Sequence, residues 1–239
     1  MAEEPLDVLA IAAHPDDVEI TCGGFLIKMS RAGRRVGVLD LTAGEMGTLG
    51  GREDRTEEAA KAAGIMGLTA RLNGGLPDSA LDMRQEYKLS IAQVLRNNKP
   101  ELVLLPHWEQ RHPDHRIASQ LGYDACFLAG LKKVDLAGKP FRPRKIAYVS
   151  YFRNAEYSFL VDISDVIDAK CEAVKAYHTQ FGNKVTARQI FQPGLDVYDL
   201  MRTRARQLGQ LAGVDYAEAF TIKEPILIDD PQKMPVQSI

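Results

Sequence analysis

Two short segments carry the side chains best suited to chemistry in this sequence, His14–Asp17 (HPDD) and His112–His115 (HPDH). In each segment the proline restricts the preceding histidine to an extended conformation, so the imidazole leaves its strand in a defined direction. The first and fourth residues of each segment could converge in a tight turn. His14 and Asp17 would then offer one nitrogen and one oxygen to a metal ion, and His115 a second nitrogen. Two histidines and one carboxylate suit a catalytic Zn²⁺ ion with an open fourth position for water.

The neighbouring polar residues could supply the other roles that metal-assisted amide hydrolysis requires. Asp16, next to the predicted ligand Asp17, would be free to accept a proton from the water. His112 could donate a hydrogen bond to the developing oxyanion. Asp114 could hold the imidazole of His112 in the required tautomer and favour its protonated form. Each role therefore has its own candidate residue.

Buried strands precede both segments. Leu6–Ala13 (LDVLAIAA) and Leu102–Leu105 (LVLL) are nearly continuous apolar runs, which are typical of strands buried on both faces of a parallel sheet. In such sheets ligands bind beyond the carboxyl ends of the strands. We therefore expect the two histidine loops to lie at the same edge of one sheet.

The rest of the chain repeats a strand-then-helix rhythm, which predicts an α/β fold with a mostly parallel sheet and helices on both faces. We treat residues 1–239 as a single domain. The further predicted strands are Val36–Leu41, a short one at Arg71–Asn73, Ile146–Tyr151 and Phe159–Ile163. The predicted helices include Gly24–Ala32, Asp54–Met66 with Asp54 as N-cap, Ser164–Tyr177 and Asp196–Leu211.

Bulk properties exclude several classes of protein. A net charge of −2 argues against a nucleic-acid or anionic-membrane partner held mainly by electrostatics. No run approaches the roughly 18–20 apolar residues of a membrane span. The first residues, MAEEPLDV, carry acids where a secretory signal carries bases, so we expect a cytoplasmic protein. Three cysteines without CxxC spacing indicate neither a disulfide framework nor a thiolate zinc site.

The two loops and their surroundings resemble a known family. AAHPDDVEITCGG, RHPDHR, the long LTAGEMGTLGGREDRTEEAAKAAGIMG stretch, LNGGLPDSAL and LAGVDYAEAF are similar to the LmbE-like, or PIG-L, family of N-acetylglucosaminyl deacetylases. The resemblance implies a Rossmann-like (LmbE-like) fold with one zinc ion per subunit. The resemblance implies that the zinc ligands are His14, Asp17 and His115. It implies that Asp16 is the general base, and that His112, supported by Asp114, stabilises the oxyanion.

Within this family, the chain is similar to bacillithiol-pathway deacetylases and to relatives that hydrolyse diacetylchitobiose. The implied substrate is a small N-acetylated amino sugar, such as N-acetylglucosaminyl malate. The resemblance places Arg55 against the substrate, where its planar guanidinium could grip a malyl carboxylate. Tyr198 is a possible counterpart of a family tyrosine near the oxyanion. Relatives commonly form trimers or hexamers, so we expect a homo-oligomer.

Three alternatives remain open at this point. Fe²⁺ would accept the same ligand set as Zn²⁺. A metal-dependent phosphoesterase is the main competing enzyme class, although such enzymes commonly need a second metal ion and more bridging carboxylates. A nucleotide-binding module is disfavoured, because the first strand-to-helix turn is acidic and lacks the GxGxxG pattern.

Overall fold

A computed structural model describes residues 4–151, 156–182, 196–234 and 236 of the chain. The described strands are β1 Val8–Ala12, β2 Val36–Thr42, β3 Ala70–Leu76, β4 Leu102–Pro106, β5 Lys145–Val149, β6 Phe159–Asp162 and β7 Ala217–Thr221. The described helices are α1 Asp17–Arg31, α2 Arg52–Met66, α3 Gln85–Asn98, α4 Pro113–Ala129, α5 Ile167–Lys175, α6 His178–Phe181 and α7 Val197–Ala212, and a short 3₁₀ helix spans Pro231–Lys233. None of the helices in these ranges is long and apolar enough to cross a membrane.

The strands form one seven-stranded sheet in the order β3-β2-β1-β4-β5-β7-β6. The first five strands of this order are parallel, and β7 runs antiparallel to both β5 and β6. The predicted α/β class and the mostly parallel sheet are confirmed. Strand β7 was not predicted, because its short segment AEAFT carries a glutamate and follows the long final helix without a strong apolar run.

Both faces of strand β1 are buried, each on one side of the sheet. Val8 and Ala10 pack in the apolar cluster that includes residues of α1 and α5. Leu9 and Ile11 pack in a second cluster that includes residues of α3 and α4. Because side chains alternate along a strand, helices on both faces require apolar residues at every position. This explains the unbroken apolar run that predicted a central strand.

Helix α1 begins earlier than predicted, at Asp17 instead of Gly24, and it is bent at Cys22, whose φ of −133° is not helical. The bend leaves the main-chain N–H groups of Gly24 and Phe25 free to donate to the buried carboxylate of Glu218, at 2.9 and 2.7 Å. Lys170 neutralises that carboxylate at 2.6 Å. The predicted start at Gly24 corresponds to the second segment of the helix, which Glu218 caps from β7.

Helix α2 also begins earlier than predicted, at Arg52, with Gly51 in the N-cap position. Asp54 is the third residue of the helix, and its carboxylate accepts a hydrogen bond from the N–H of Gly51 at 2.8 Å. An acidic residue in the first helical turn is favourable for the same electrostatic reason as one at the N-cap. The sequence signal therefore identified the N-terminal end of the right helix and placed its N-cap three positions too late.

The order of the strands explains why the two histidine loops can meet. β1 pairs in parallel with β4, with Ala10 opposite Leu104, and it pairs with β2 on its other side. The chain leaves β1 for β2 on one side and returns to β4 on the other, so the loops after β1 and β4 flank the crevice where the direction of winding reverses. This switch point is where open α/β sheets bind their ligands.

Candidate active site

The histidines of the two loops lie together beyond the carboxyl ends of β1 and β4. The ring centroids of His14 and His115 are 5.3 Å apart, and each is 4.9 Å from the ring of His112. Each of the three residues offers a ring nitrogen, and these nitrogens lie within 4.8 Å of one another. The sequence prediction that the two loops converge is in agreement with this geometry.

Asp17 lies between His14 and His115. Its Oδ2 accepts a hydrogen bond from the main-chain N–H of His14 at 2.9 Å and lies 3.5 Å from the Nδ1 of the same residue. Its Oδ1 lies 3.2 Å from Nε2 of His115. Burial of the Asp17 carboxyl raises its pKa, but the two histidines outweigh burial and hold the pKa well below its usual range. Asp17 is therefore an ionised acceptor facing both imidazoles.

The other side of the His14 ring faces two more carboxylates. Its Nε2 lies 3.0 Å from Oδ1 of Asp78 and 3.3 Å from Oδ2 of Asp114. Burial opposes the charged imidazolium, but hydrogen bonds to Asp114, Asp17 and Asp78 outweigh it and raise the pKa of His14 to about 12. Without a metal ion, this imidazole is thus the cation that neutralises a buried group of carboxylates.

This set of donors fits a divalent metal ion. Imidazole nitrogens and carboxylate oxygens at a water-accessible crevice are the ligands of catalytic zinc sites. His14, Asp78 and Asp114 form a second group of ligand atoms that lie within 4.8 Å of one another. His14 belongs to both groups, and its two ring nitrogens face different partners, Nδ1 toward Asp17 and Nε2 toward Asp78 and Asp114. The site can therefore offer one nitrogen of His14 to an ion and keep the other for a hydrogen bond.

Asp16 has an unusual backbone conformation. Its φ of 104° lies in the left-handed region, which residues other than glycine rarely adopt and which often marks functional sites. Burial raises the pKa of its carboxyl to about 7, although the nearby Arg55 guanidinium acts in the opposite direction. A carboxyl with a pKa near neutrality is suited to accept and then return a proton.

Arg55, on helix α2, contacts the first histidine loop, His14–Asp17. Its Nη1 donates to Oδ2 of Asp16 at 3.1 Å, and its Nη2 donates to the carbonyl oxygen of Pro15 at 2.7 Å. Arg55 is only 4% exposed. These contacts hold the strained loop in place, whereas the predicted contact between Arg55 and a substrate carboxylate stays a prediction.

His112 is the N-cap of α4. Its Nδ1 accepts a hydrogen bond from the main-chain N–H of Asp114 at 3.2 Å, so the proton of the neutral ring is on Nε2. Burial lowers the pKa of His112, and His115 and His14 lower it further, which favours this neutral form. The Asp114 carboxylate contacts His14 and the N–H of Ser79. The main chain of Asp114 therefore sets the tautomer of His112, and the predicted role of its carboxylate there remains a prediction.

Tyr151 is a residue that sequence reasoning missed. Its phenol donates a hydrogen bond to Oδ1 of Asp17, and its ring stacks on His115 with centroids 4.9 Å apart. The predicted strand Ile146–Tyr151 included Tyr151 as its last residue, whereas β5 ends at Val149, so Tyr151 lies in the loop at the same sheet edge as the histidine loops. Its position at the carboxyl end of a predicted strand was the available signal. Tyr198, the predicted candidate, lies in the first turn of α7, with its ring 5.9 Å from the Lys175 ammonium.

A buried charge network supports the first turn of α1 behind the site. Arg71 on β3 donates to Asp40 on β2 at 2.8 and 3.1 Å and also to Glu19, two residues after Asp17. The Tyr177 phenol donates to the same Glu19 carboxylate at 3.0 Å. These contacts tie the helix that carries Asp17 to two strands of the sheet, which fixes the position of its first turn.

Comparison with known proteins places this site in a family. The sequence model of the PIG-L family, described as GlcNAc-PI de-N-acetylase, matches residues 9–126, a range that contains both histidine loops. The chain is also 34% identical over 225 residues to the diacetylchitobiose deacetylase of Thermococcus kodakarensis, and the match covers 88% of this chain and 80% of the relative. The chain belongs to the PIG-L family.

One further described deacetylase and two solved structures are also similar to this PIG-L family protein. A protein of Bacillus subtilis described as a probable N-acetyl-alpha-D-glucosaminyl L-malate deacetylase is 28% identical over 191 residues, covering 72% of this chain and 82% of the relative. A conserved protein of Thermus thermophilus has a crystal structure with a TM-score of 0.85 and 41% identity, covering 93% of this chain and 97% of that one. The N,N'-diacetylchitobiose deacetylase of Pyrococcus horikoshii gives a TM-score of 0.78 and 26% identity, covering 90% and 82%.

The predicted resemblance is confirmed, and the PIG-L protein is a metal-dependent N-deacetylase. The relatives support deacetylation of N-acetylglucosamine conjugates as the class of reaction. None of the relatives named above is described as a phosphoesterase, so that alternative finds no support among them.

Proposed function

We propose that this PIG-L protein hydrolyses the acetamide of an N-acetylglucosamine conjugate at a single zinc ion held by His14, Asp17 and His115. The observation that carries the proposal is the position of Asp17, whose two carboxylate oxygens face the two imidazoles from separate loops. Bound there, zinc would polarise the acetamide carbonyl and lower the pKa of the attacking water. Fe²⁺ would accept the same ligand set.

Asp16 is the proposed general base. It is adjacent to the ligand Asp17, and its contact with Arg55 at 3.1 Å fixes the direction of its carboxylate. Asp16 accepts a proton from water as the water oxygen bonds to the acetamide carbon. It then returns that proton to the sugar nitrogen as the C–N bond breaks, which gives acetate and the free amine.

His112 is the proposed oxyanion donor. Because its Nδ1 is engaged by the N–H of Asp114, its Nε2–H is free to donate to the oxygen of the tetrahedral intermediate. The Asp114 carboxylate would act on this ring only at longer range, since it is held by Ser79 and His14. The lowered pKa of His112 is consistent with a neutral hydrogen-bond donor at physiological pH.

Two substrates represent the proposed class, N-acetylglucosaminyl malate and diacetylchitobiose. They share the acetamide and the glucosamine ring and differ in charge, because only the malyl group carries carboxylates. The direct experiment follows acetate release from each by protein stripped of metal and reloaded with one equivalent of zinc. We expect zinc-dependent release from at least one of them and no hydrolysis of a phosphate monoester. Absence of acetate from both, with zinc bound, would overturn the proposed function.

A further inference from the structure

The two nitrogens of His14 face different partners. Nε2 lies within hydrogen-bonding distance of Asp78 and Asp114, while Nδ1 faces Asp17, at 3.5 Å from its Oδ2. A neutral imidazole has one N–H and one lone pair, and the hydrogen bond made by one nitrogen decides which is which. Only a proton on Nε2 satisfies the two carboxylates and leaves the lone pair of Nδ1 on the Asp17 side.

We propose that Asp78 is a positioning residue that fixes this tautomer of His14 and so presents Nδ1 to the metal ion. The inference rests on the proposed function, because it takes His14 as a metal ligand. Residues outside the ligand set that hold a ligating histidine commonly alter metal affinity when they are replaced. Asp78 lies in the turn after β3, a part of the chain to which we assigned no role from the sequence.

Asp78 is itself held so that its two oxygens have different partners. Its Oδ2 accepts the N–H of Met46 at 2.8 Å, which leaves Oδ1 to face His14 at 3.0 Å. Its own N–H donates to Glu45 at 3.1 Å, and the residue is only 8% exposed. The next residue, Ser79, has a φ of 60° and directs its N–H to Asp114. The loop after β2 and the turn after β3 therefore fix the Asp78 carboxylate relative to His14.

This arrangement makes the effect of an asparagine different from that of an alanine. In Asp78→Asn the N–H of Met46 still requires an acceptor, which only the amide oxygen can supply. The amide NH₂ then faces Nε2 of His14 at the shorter distance and competes with Asp114 for this nitrogen, which favours a ring proton on Nδ1, where the metal should bind. In Asp78→Ala this conflict is absent, and Asp114 still accepts a proton on Nε2. Both variants lose the same negative charge.

The test is the zinc dissociation constant of the full chain, measured by competition with a chromophoric chelator. We expect Asp78→Asn to weaken zinc binding about 10–100-fold, and Asp78→Ala to weaken it less. Asp82→Asn, which alters an exposed carboxylate in the same connection, should bind zinc like the wild type. Thermal unfolding of the metal-free proteins should show the opposite order, because alanine leaves the N–H of Met46 unpaired.

A purely structural role for Asp78 predicts that alanine is at least as damaging to zinc binding as asparagine, and that result would overturn the inference. The tautomer gives a second measurement, since ¹⁵N-labelled histidine in the zinc-loaded wild type should show a proton on Nε2 of His14. His115→Ala separates the two proposals. If it loses zinc while both Asp78 variants bind like the wild type, only the role of Asp78 fails. If His115→Ala retains wild-type affinity, the proposed ligand set fails.

Discussion

Nε2 of His115 lies 3.2 Å from Oδ1 of Asp17, although the two residues follow different strands of the sheet. The parallel pairing of β1 with β4 brings them together, and Tyr151 from the end of β5 contacts both. Each part of the proposed mechanism depends on the contact between the loops that follow β1 and β4.

Replacing the proposed base should reduce the rate and leave the metal in place. We expect Asp16→Asn to lower kcat by about 10²–10⁴-fold, because asparagine cannot accept the proton from water. Zinc content should be unchanged, since Asp16 is outside the proposed ligand set. Steady-state acetate release together with metal analysis checks both statements, and turnover close to that of the wild type would exclude Asp16 as the base.

The same carboxyl predicts how activity depends on pH. Burial raises the pKa of Asp16 to about 7, and the ionised form is the one that accepts a proton. The value of kcat/KM should therefore fall as pH decreases through this region. A bound cation favours the ionised carboxylate, so the midpoint in the zinc enzyme should lie at or below 7. A profile of kcat/KM that increases toward acidic pH would contradict this assignment.

Replacing Arg55 distinguishes its contact with the loop from the predicted contact with substrate. In Arg55→Met, Asp16 loses the cation that favours its ionised form, so the acid limb of kcat/KM should move to higher pH. The decrease in kcat/KM at a given acidic pH should be similar for N-acetylglucosaminyl malate and diacetylchitobiose. An increase in KM confined to the malyl substrate would instead indicate that Arg55 binds the substrate carboxylate. Arg52→Met, at an exposed position of the same helix, is the matched control.

Metal binding should release a proton from His14. In the metal-free protein its pKa is raised to about 12, so the imidazole is protonated at neutral pH and must lose the proton on Nδ1 to bind zinc. Affinity should therefore increase with pH, by about tenfold per unit for one proton released. Calorimetry in buffers of different ionisation enthalpy measures the proton directly. An affinity that is independent of pH would contradict the predicted protonation state.

Glu218 should be important for stability rather than for chemistry. Its carboxylate pairs with the buried Lys170 and accepts two main-chain N–H groups at the bend of α1. Removing one partner of a buried ion pair typically costs about 3–5 kcal/mol, so Glu218→Ala should lower the free energy of unfolding by this amount. Glu172→Ala, which breaks an exposed pair, should leave it unchanged. Denaturant unfolding of both variants measures the difference.

The sequence was sufficient to predict the fold class and the meeting of the two loops. The apolar runs before His14 and His112 are long and uninterrupted, and strands buried on both faces leave little freedom in where the following loops emerge. The residue types of the two segments HPDD and HPDH assigned a role to each of their histidines and aspartates, and the family resemblance implies the same roles. These predictions depend on short segments whose local structure follows directly from their residue types.

The contacts made by Asp78, Tyr151 and Arg55 could not be predicted in the same way. Asp78 reaches His14 only because the turn after β3 folds over the site, and Tyr151 meets Asp17 only because β5 pairs with β4. Arg55 lies on a helix, and its spacing along the chain does not indicate whether its guanidinium points outward or toward the first histidine loop. Such contacts depend on side-chain packing between segments that are distant in the sequence.

Zinc stoichiometry in the wild type and in His115→Ala tests the central claim most directly, namely that two loops share one metal ion. After dialysis against a weak chelator, elemental analysis should find about one equivalent of zinc per chain in the wild type and almost none in His115→Ala. His178→Ala, at an exposed histidine outside the site, should retain the wild-type amount. Two equivalents in the wild type, or undiminished zinc in His115→Ala, would contradict the account.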